Sequence, residues 1–259
     1  VWYFDGMNKI PTDSFRWGGI IDLLAGPKLY RTISENIDDK SKYGLENPNT
    51  EISIYLNNGD KRTLYIGNET PDNLNNYAYL EGVEKLVMLD ATWKGVLGRL
   101  VDEPPYPKWM YKLVPDEALE IVIIKDNEIY KAYAINDEGW HECDLPISST
   151  PCNGNNQAEK EYIENFLVDF SNINILGAVQ LNLLFEEDYK QYGLGLEAPY
   201  VDIKTISRDA SGTNTIYNTS ISIGKLNEDK TGYFSVAKET KDVILTEKEW
   251  TEKILQVFD

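Results

Sequence analysis

The sequence has little of what most often carries chemistry or binds nucleic acid. Its 259 residues include one histidine and two cysteines, and lysine plus arginine total 25 against 43 aspartates and glutamates. The formal charge of −18 argues against nucleic-acid binding, which needs a basic surface, and disfavours docking on anionic lipid. No apolar run approaches the roughly 20 residues of a membrane span, so we expect no direct membrane insertion by these residues.

Hydrophobic and aromatic residues are abundant. They make up 42% and 12% of the chain, enough to bury a core. At about 150 residues per domain, this length predicts one large domain or two small ones. The chain begins at Val1 and not at methionine. We therefore expect a fragment or a processed product, from which a signal peptide or a membrane anchor is absent.

One short string occurs twice, and it is the first sign of an internal repeat. Tyr-Gly-Leu stands at residues 43–45 and again at 192–194. In each place a proline follows, and then a run of alternating apolar and polar residues, 51–56 and 200–206, which is typical of a half-buried strand. The residues of this motif are Tyr43, Gly44, Leu45 and Pro48 in the first copy and Tyr192, Gly193, Leu194 and Pro199 in the second. We expect Gly44 and Gly193 to have positive φ, where the chain turns into the sheet.

The similarity continues to the end of each copy. Both strands lead to a hairpin signal, and each return strand ends in Ile-Gly, at 66–67 and 223–224. Two further strands follow in each copy, and then a closing helix that contains a tryptophan. Asp90 is a suitable N-cap for the first closing helix, while Thr246 and Glu249 form a capping box for the second.

A helix is also predicted near the start of each copy. In the first copy, Thr12 is the expected cap of a helix that buries Phe15, Ile20, Leu23 and Leu24. In the second, an apolar stripe recurs at helical spacing between Tyr162 and Phe170, with Asn155 or Asn156 as the expected cap. Between the copies lie a proline-rich connector and the strands of a β-meander.

The predicted fold class is therefore α+β, with two tandem repeats joined by the meander. Each repeat packs helices on a small, mainly antiparallel sheet. The predicted boundaries are residues 1–105 for the first repeat, 106–139 for the meander and 140–259 for the second repeat.

These motifs together resemble the DUF4340 domain. The nearest matches are the Tyr-Gly-Leu turn with its proline, the Ile-Gly strand end, and the strands at residues 77–80 and 87–89. The second copy departs from the pattern by inserting Gly195 and Leu196 before the proline. The resemblance extends over nearly the whole chain, as two tandem DUF4340-like units.

The resemblance implies a location and a setting but no reaction. Such domains are extracytoplasmic, behind an N-terminal membrane helix or lipid anchor, and accompany ABC transporters of the gliding-motility type. The family has no established catalytic residues to transfer to this chain. We therefore expect a non-enzymatic accessory or scaffold domain of a membrane-associated complex, with no cofactor and with a membrane protein complex as its partner.

Cys143 and Cys152 allow two interpretations. They are either two free thiols or a local disulfide across a proline-containing loop. A disulfide would contribute about 3 kcal/mol and would indicate an oxidising compartment. No paired histidine lies nearby, so a zinc site is not expected.

The aromatic residues support an alternative function. A glycan- or peptide-binding module would use exposed aromatics near the proline run as its platform. The candidate partner surface consists of Tyr106, Trp109, Met110 and Tyr111. Packing in the core is the competing interpretation of the same residues.

Catalytic patterns are scarce. The sequence has no nucleophile elbow, phosphate-binding glycine loop or His-Glu-x-x-His string. We expect His141 to be an ordinary surface residue. A hydrolase that uses a pair of acidic residues is a remote alternative, since 43 acids allow many pairs and nothing singles out one.

Overall fold

The computed structural model describes residues 2–7, 9–25, 29–110, 112–147, 152–154, 156–208, 212–237 and 240–258. The chain divides into two compact units. The small unit is Asp13–Pro105, and the large unit combines Val1–Thr12 with Tyr106–Asp259.

The small unit contains two helices and a sheet whose described strands are all antiparallel. Its elements in chain order are α1 (Ser14–Ala25), β1 (Leu29–Ser34), β2 (Thr50–Tyr55), β3 (Lys61–Glu69), β4 (Asn75–Leu80), β5 (Leu86–Asp90) and α2 (Ala91–Asp102). The strand order across the sheet is β1-β5-β4-β3-β2. Both helices pack on one face, where Ile20 of α1 and Trp93 of α2 cover Ile66 of β3.

The caps of the small unit agree with the sequence in one helix and differ in the other. Asp90 caps α2, because its Oδ1 accepts the backbone N–H of Thr92 at 2.8 Å. In α1 the capping oxygen belongs to Asp13 and not to Thr12, since Asp13 Oδ1 accepts the N–H of Arg16 at 2.9 Å. The predicted burial of Phe15 is wrong: this side chain is 93% exposed. The helix is capped one residue later than predicted, and the other predicted residues, Ile20, Leu23 and Leu24, do pack on the sheet.

The large unit contains three helices and a longer sheet, again with antiparallel pairs throughout its described strands. Its first elements are β6 (Ala118–Lys125), β7 (Glu128–Asn136), β8 (Gly139–Glu142), β9 (Asn156–Gln157), α3 (Lys160–Ser171) and β10 (Ile175–Gln180). The remaining elements are α4 (Glu186–Lys190), β11 (Tyr200–Arg208), β12 (Asn214–Leu226), β13 (Gly232–Ala237), β14 (Asp242–Glu247) and α5 (Lys248–Leu255).

The strand order of this sheet is β10-β14-β13-β12-β11-β6-β7-β8-β9. The meander strands continue the sheet, because β6 pairs with β11 from Tyr200↔Ile124 to Thr205↔Ala118. The first five strands in this order, β10-β14-β13-β12-β11, repeat the strand order of the small unit. In both sheets the earliest strand along the chain is followed by the fifth, fourth, third and second. The predicted α+β class, with mainly antiparallel sheets, is confirmed.

Helices α3 and α5 cover one face of the large sheet. Ile163 and Phe170 of α3 and Trp250 of α5 lie in a core with the apolar residues of β6, β11 and β12. Neither predicted cap is found. Glu159 precedes α3, and Glu247 precedes α5 without a capping side chain.

Thr246, predicted to cap the closing helix, is instead a buried residue of β14. Its hydroxyl lies 2.8 Å from Ser235 Oγ and 2.9 Å from Thr251 Oγ1. The helix begins one residue later than the capping box indicated because the strand continues through the cap position. The hydroxyl links strand to helix from inside the sheet.

Candidate functional site

The Tyr-Gly-Leu turn of the small unit packs its backbone against strand β3. Gly44 has φ +67° and ends a 3-10 helix, Lys40–Tyr43. Its N–H donates to the Ser41 carbonyl at 3.1 Å. A Cβ on Gly67, at the Ile-Gly end of β3, would overlap the carbonyl oxygen of Tyr43. The motif therefore joins a left-handed turn to a strand position that has room only for glycine.

The large unit has the same arrangement between its own turn and β12. Gly193 has φ +72°, and the carbonyl of Tyr192 accepts the N–H of Lys225 at 2.9 Å. A Cβ on Gly224 would overlap that carbonyl oxygen. The predicted positive φ at Gly44 and Gly193 is confirmed.

The remaining motif residues anchor these turns. Leu45 and Leu194 are buried, and Pro48 and Pro199 are half-buried. The motif residues thus serve packing and turn geometry in each unit.

The aromatic surface predicted around Trp109 is not exposed. Trp109 is 7% exposed and lies on β13 and β14 with Ala237 and Ile244. Its indole Nε1 donates to Asp242 Oδ2 at 2.9 Å. A tryptophan that follows a proline run can pack inward as readily as outward, and here the short 3-10 helix Lys108–Met110 turns the indole towards the sheet.

Of the other three residues of that predicted surface, two are partly buried and one lies outside the described residues. Tyr106 is half-buried, with its ring centroid 4.7 Å from that of Phe4. Met110 is half-buried beside the Trp109 cluster. Tyr111 lies outside the described residues. The exposed platform expected for a glycan-binding module is therefore wrong at Trp109, the residue on which it depended.

Cys143 and Cys152 are joined in a disulfide. Their Cα atoms are 5.7 Å apart, and both side chains are buried beside Ala132 and Ala134 of β7. The strand continues into the bridge through a bond from the Cys143 N–H to the Ala132 carbonyl, 2.8 Å. The cross-link therefore ties the loop after β8 onto the sheet.

His141 lies beside this disulfide, and it is buried. Its Nε2 is 3.2 Å from the carbonyl oxygen of Cys152, which can accept a hydrogen bond only from a protonated Nε2. Its Nδ1 is buried and has no hydrogen-bond partner in the described residues. The predicted surface position is wrong, because β9 pairs with His141 and Cys152 lies against its ring.

One ion pair lies on the face of the large sheet away from α3 and α5. Glu120 of β6 is 5% exposed and accepts a hydrogen bond from the Lys204 ammonium of β11. Also on β11, the Asp202 carboxylate accepts hydrogen bonds from Ser220 Oγ at 3.0 Å and from Asn218 Nδ2 at 3.4 Å. These partners give the acidic groups hydrogen bonds, so the arrangement stabilises strand pairing.

A cavity of about 730 Å³ in the large unit is the best-formed candidate binding site. It lies between the 3-10 helix that holds Trp109, the end of α3 and strand β12, and we call it the edge groove. Its size is within the range of small-molecule and peptide-anchor pockets. Apolar residues from five elements and the adjoining loops line its inner part: Trp109, Leu113, Phe170, Ile173, Ile221, Ala237 and Ile244. Lys108, Lys112 and Glu117 stand around it.

The edge groove was missed by sequence reasoning. It depends on the difference in length between β12, with 13 residues, and β13, with six. A signal was present in the sequence, since residues 213–224 contain no charge and many β-branched residues. Only the strand order shows that this run has an open side.

Two features are absent from the described residues. No group of three or more histidine, cysteine, aspartate or glutamate residues is arranged to hold a metal ion in the described part of the chain. None of the described helices is both long enough and apolar enough to cross a bilayer.

Fold and site thus define an α+β protein with two antiparallel sheets and a groove at a strand edge. Comparison with protein families finds a DUF4340 domain, a domain of unknown function, over residues 2–95. Neither a curated protein nor a solved structure matches the chain.

Proposed function

We propose that this protein is a non-enzymatic, extracytoplasmic accessory domain that holds a partner in a membrane-associated complex. The buried Cys143–Cys152 disulfide is the observation that carries the proposal. Structural disulfides persist in oxidising compartments and are rare in the cytosol. The DUF4340 domain over residues 2–95 supports the same location, since the resemblance implies extracytoplasmic domains beside ABC transporters.

We also propose that the two sheets are tandem copies of one fold. Their shared strand order supports this, as does the packing of each Tyr-Gly-Leu turn on an Ile-Gly strand end. The ring contacts agree as well: Tyr43 lies 5.0 Å from Tyr77, and Tyr192 lies 5.0 Å from Phe234. A duplicated scaffold offers similar surfaces twice, which suits an accessory subunit that spans a larger assembly.

The first test is recovery of the complex. The full-length protein would be affinity-purified from its native membranes after mild cross-linking, and the co-purifying proteins would be identified by mass spectrometry. We expect a stoichiometric membrane complex with an ABC-type exporter subunit. Recovery of the chain alone, with an equally tagged unrelated membrane protein giving the same background, would contradict the accessory role.

The second test addresses location. Cells would be lysed in a thiol-blocking reagent, and free thiols would be counted on the denatured, unreduced protein. We expect no labelled cysteine before reduction and two after it. Two labelled cysteines before reduction would contradict an oxidising compartment.

A further inference from the structure

Strand β12 extends well beyond its neighbour in the sheet. β13 pairs with it only from Ile221↔Ala237 to Leu226↔Tyr233, although β12 begins at Asn214. On the other side, β11 pairs with β12 along its whole N-terminal half, as far as Arg208↔Asn214. Within the described residues, no strand pairs with residues 214–219 on the β13 side. The segment 214–219 is therefore a strand edge, which we call the open edge.

The direction of the backbone groups along the open edge follows from one hydrogen bond. The N–H of Ile223 donates to the Pro199 carbonyl at 3.0 Å, so the backbone of Ile223 faces β11. Alternate residues of an antiparallel strand face the same neighbour, and the β11–β12 register has no shift. The backbone groups of Tyr217 and Thr219 therefore also face β11. Those of Ile216 and Asn218 face the open side.

The open edge lacks the features that usually prevent strand addition. Such edges are commonly protected by lysine, proline, a bulge or an inward-pointing charge. Residues 214–219 contain no charged residue and no proline. Two of its large apolar side chains are also exposed, Ile216 by 60% and Tyr217 by 53%. Its composition and exposure favour pairing with another strand.

The edge groove lies against this same strand segment. Residues 216–221 all line it, together with Ala237, the last residue of β13. The groove therefore follows β12 from its unpaired segment to the end of β13. Its apolar inner part, between Trp109 and Ile221, therefore lies where side chains of an added strand would enter.

We propose that the edge groove binds an extended segment of a partner polypeptide, which adds to the open edge of β12 as a further strand. The outward backbone groups of Ile216 and Asn218 would pair with it, and alternate side chains would enter the apolar inner part. Lys108 and Lys112 outnumber Glu117 around the groove, in a chain with net charge −18. The preferred segment therefore combines β-branched or aromatic residues with acidic ones. This inference rests on the proposed accessory function in one respect, that the segment belongs to a partner.

The probe is a displayed library of random twelve-residue peptides, selected on the full chain. Binding of the selected peptides would be measured on two variants at one position. Asn218→Pro removes the outward N–H and leaves the bonds to β11 intact, as proline is tolerated where a strand faces solvent. Asn218→Thr is the matched control, since it also loses the Asn218 side-chain bond to Asp202 but keeps the N–H.

We expect Asn218→Pro to weaken peptide binding about tenfold or more, and Asn218→Thr to leave it unchanged, because only the first removes a main-chain hydrogen bond. Thermal unfolding would confirm that both variants fold. Equal binding to the two variants, or a selection that yields no peptide, would overturn the proposal.

A second pair of variants avoids dependence on proline. Thr219→Trp places a large side chain in the edge groove, whereas Thr215→Trp makes the same change on the same strand, outside the residues that line the groove. We expect only the first to abolish binding. Hydrogen exchange gives a direct readout: bound peptide should slow exchange at the Ile216 and Asn218 amides and leave Tyr217 and Thr219 unchanged.

Three outcomes separate this inference from other possibilities. If palmitate binds the groove and displaces no selected peptide, the peptides bind elsewhere. The groove is then a site for an amphiphile, and strand addition there is wrong. If the membrane complex is recovered equally with Asn218→Pro, the accessory function stands and this surface is wrong. If peptides bind as expected but no complex is recovered, the surface stands and the accessory function fails.

Discussion

Gly44 shows how much one missing side chain contributes to this fold. Its φ of +67° is costly for any β-branched residue, and a Cβ there would overlap the Asn68 side chain. We expect Gly44→Val to lower the free energy of unfolding by about 3 kcal/mol. Urea unfolding of the full chain measures this.

Gly59 provides the matched control for that substitution. It also has positive φ, +89°, but nothing lies within 4 Å of where its Cβ would be. Gly59→Val should therefore cost only the backbone strain, about 1–2 kcal/mol. An unchanged unfolding midpoint in Gly44→Val, or equal losses in the two variants, would show that the predicted overlap is relieved without cost.

Tyr133 gives the protein a specific sensitivity to alkaline pH. Burial among the core residues under α3 raises the pKa of its phenol to about 12. In the unfolded chain a tyrosine phenol has a pKa near 10. Between about pH 10 and pH 12 the folded state therefore keeps the phenol proton that the unfolded state has lost. The stabilisation is fully present below about pH 10 and is lost as pH rises towards 12. By pH 11 the loss is about 1 kcal/mol.

The measurement is chemical unfolding at pH 8 and pH 11 for the wild type and Tyr133→Phe. We expect the variant to lose about 1 kcal/mol less than the wild type between these two pH values, since it has no phenol to ionise. Tyr55→Phe, at an exposed tyrosine, should behave as the wild type does. If wild type and Tyr133→Phe lose equal free energy of unfolding between pH 8 and pH 11, the alkaline sensitivity does not come from Tyr133.

At the scale of elements, the disulfide holds the loop after β8 on the sheet. The bridge closes a short loop of sequence separation nine, for which chain entropy gives about 2–3 kcal/mol. We expect the double variant Cys143→Ser, Cys152→Ser to lose about that amount in chemical unfolding. Reductant should lower the stability of the wild type equally and leave the double variant unchanged. A reductant effect on the double variant would point to another cause.

Elements with a local cause were predictable from the sequence. The alternation at β2 and β11, the turn glycines and the Asp90 cap all depend on residues within a few positions of each other, and the structure has each of them. Those that depend on distant residues were not. The Thr246 cap fails because β14 continues through it, and Trp109 is buried because Asp242, far along the chain, accepts its indole N–H.

The candidate site was unpredictable for the same reason. An open edge exists only when one strand is longer than its neighbour, and β12 and β13 take their lengths from different hairpins. The uncharged run at residues 213–224 indicates a strand but not which side of it is unpaired. Strand order is a property of the assembled sheet.

At the scale of the whole molecule, the family domain and the compact units have different boundaries. The DUF4340 domain spans residues 2–95, but Val1–Thr12 belongs to the large unit and the small unit begins at Asp13. Phe4 and Ile10 are part of the cluster around Trp109. A fragment cut at the family boundary would therefore separate the N-terminal segment from the residues it packs on.

The net charge of −18 predicts a dependence of stability on salt. Like charges oppose the compact state, and raising the ionic strength screens them. We expect the Tm to rise by about 3 °C or more between 10 and 200 mM NaCl, followed by calorimetry. The same series at about pH 4.5, where carboxylates begin to protonate, is the control and should show a smaller rise. A falling Tm at neutral pH would show that ion pairs outweigh the repulsion.

The contact between Gly67 and the Tyr43 carbonyl has a consequence for alternative pairings of the sheet. A slip of one residue in β3 would bring Ile66 or Asn68 opposite that carbonyl, and a slipped strand would also turn its apolar side chains to the wrong face. The Tyr-Gly-Leu turn thus excludes misregistered hairpins sterically. Turn and strand end must therefore change together if either is to change at all.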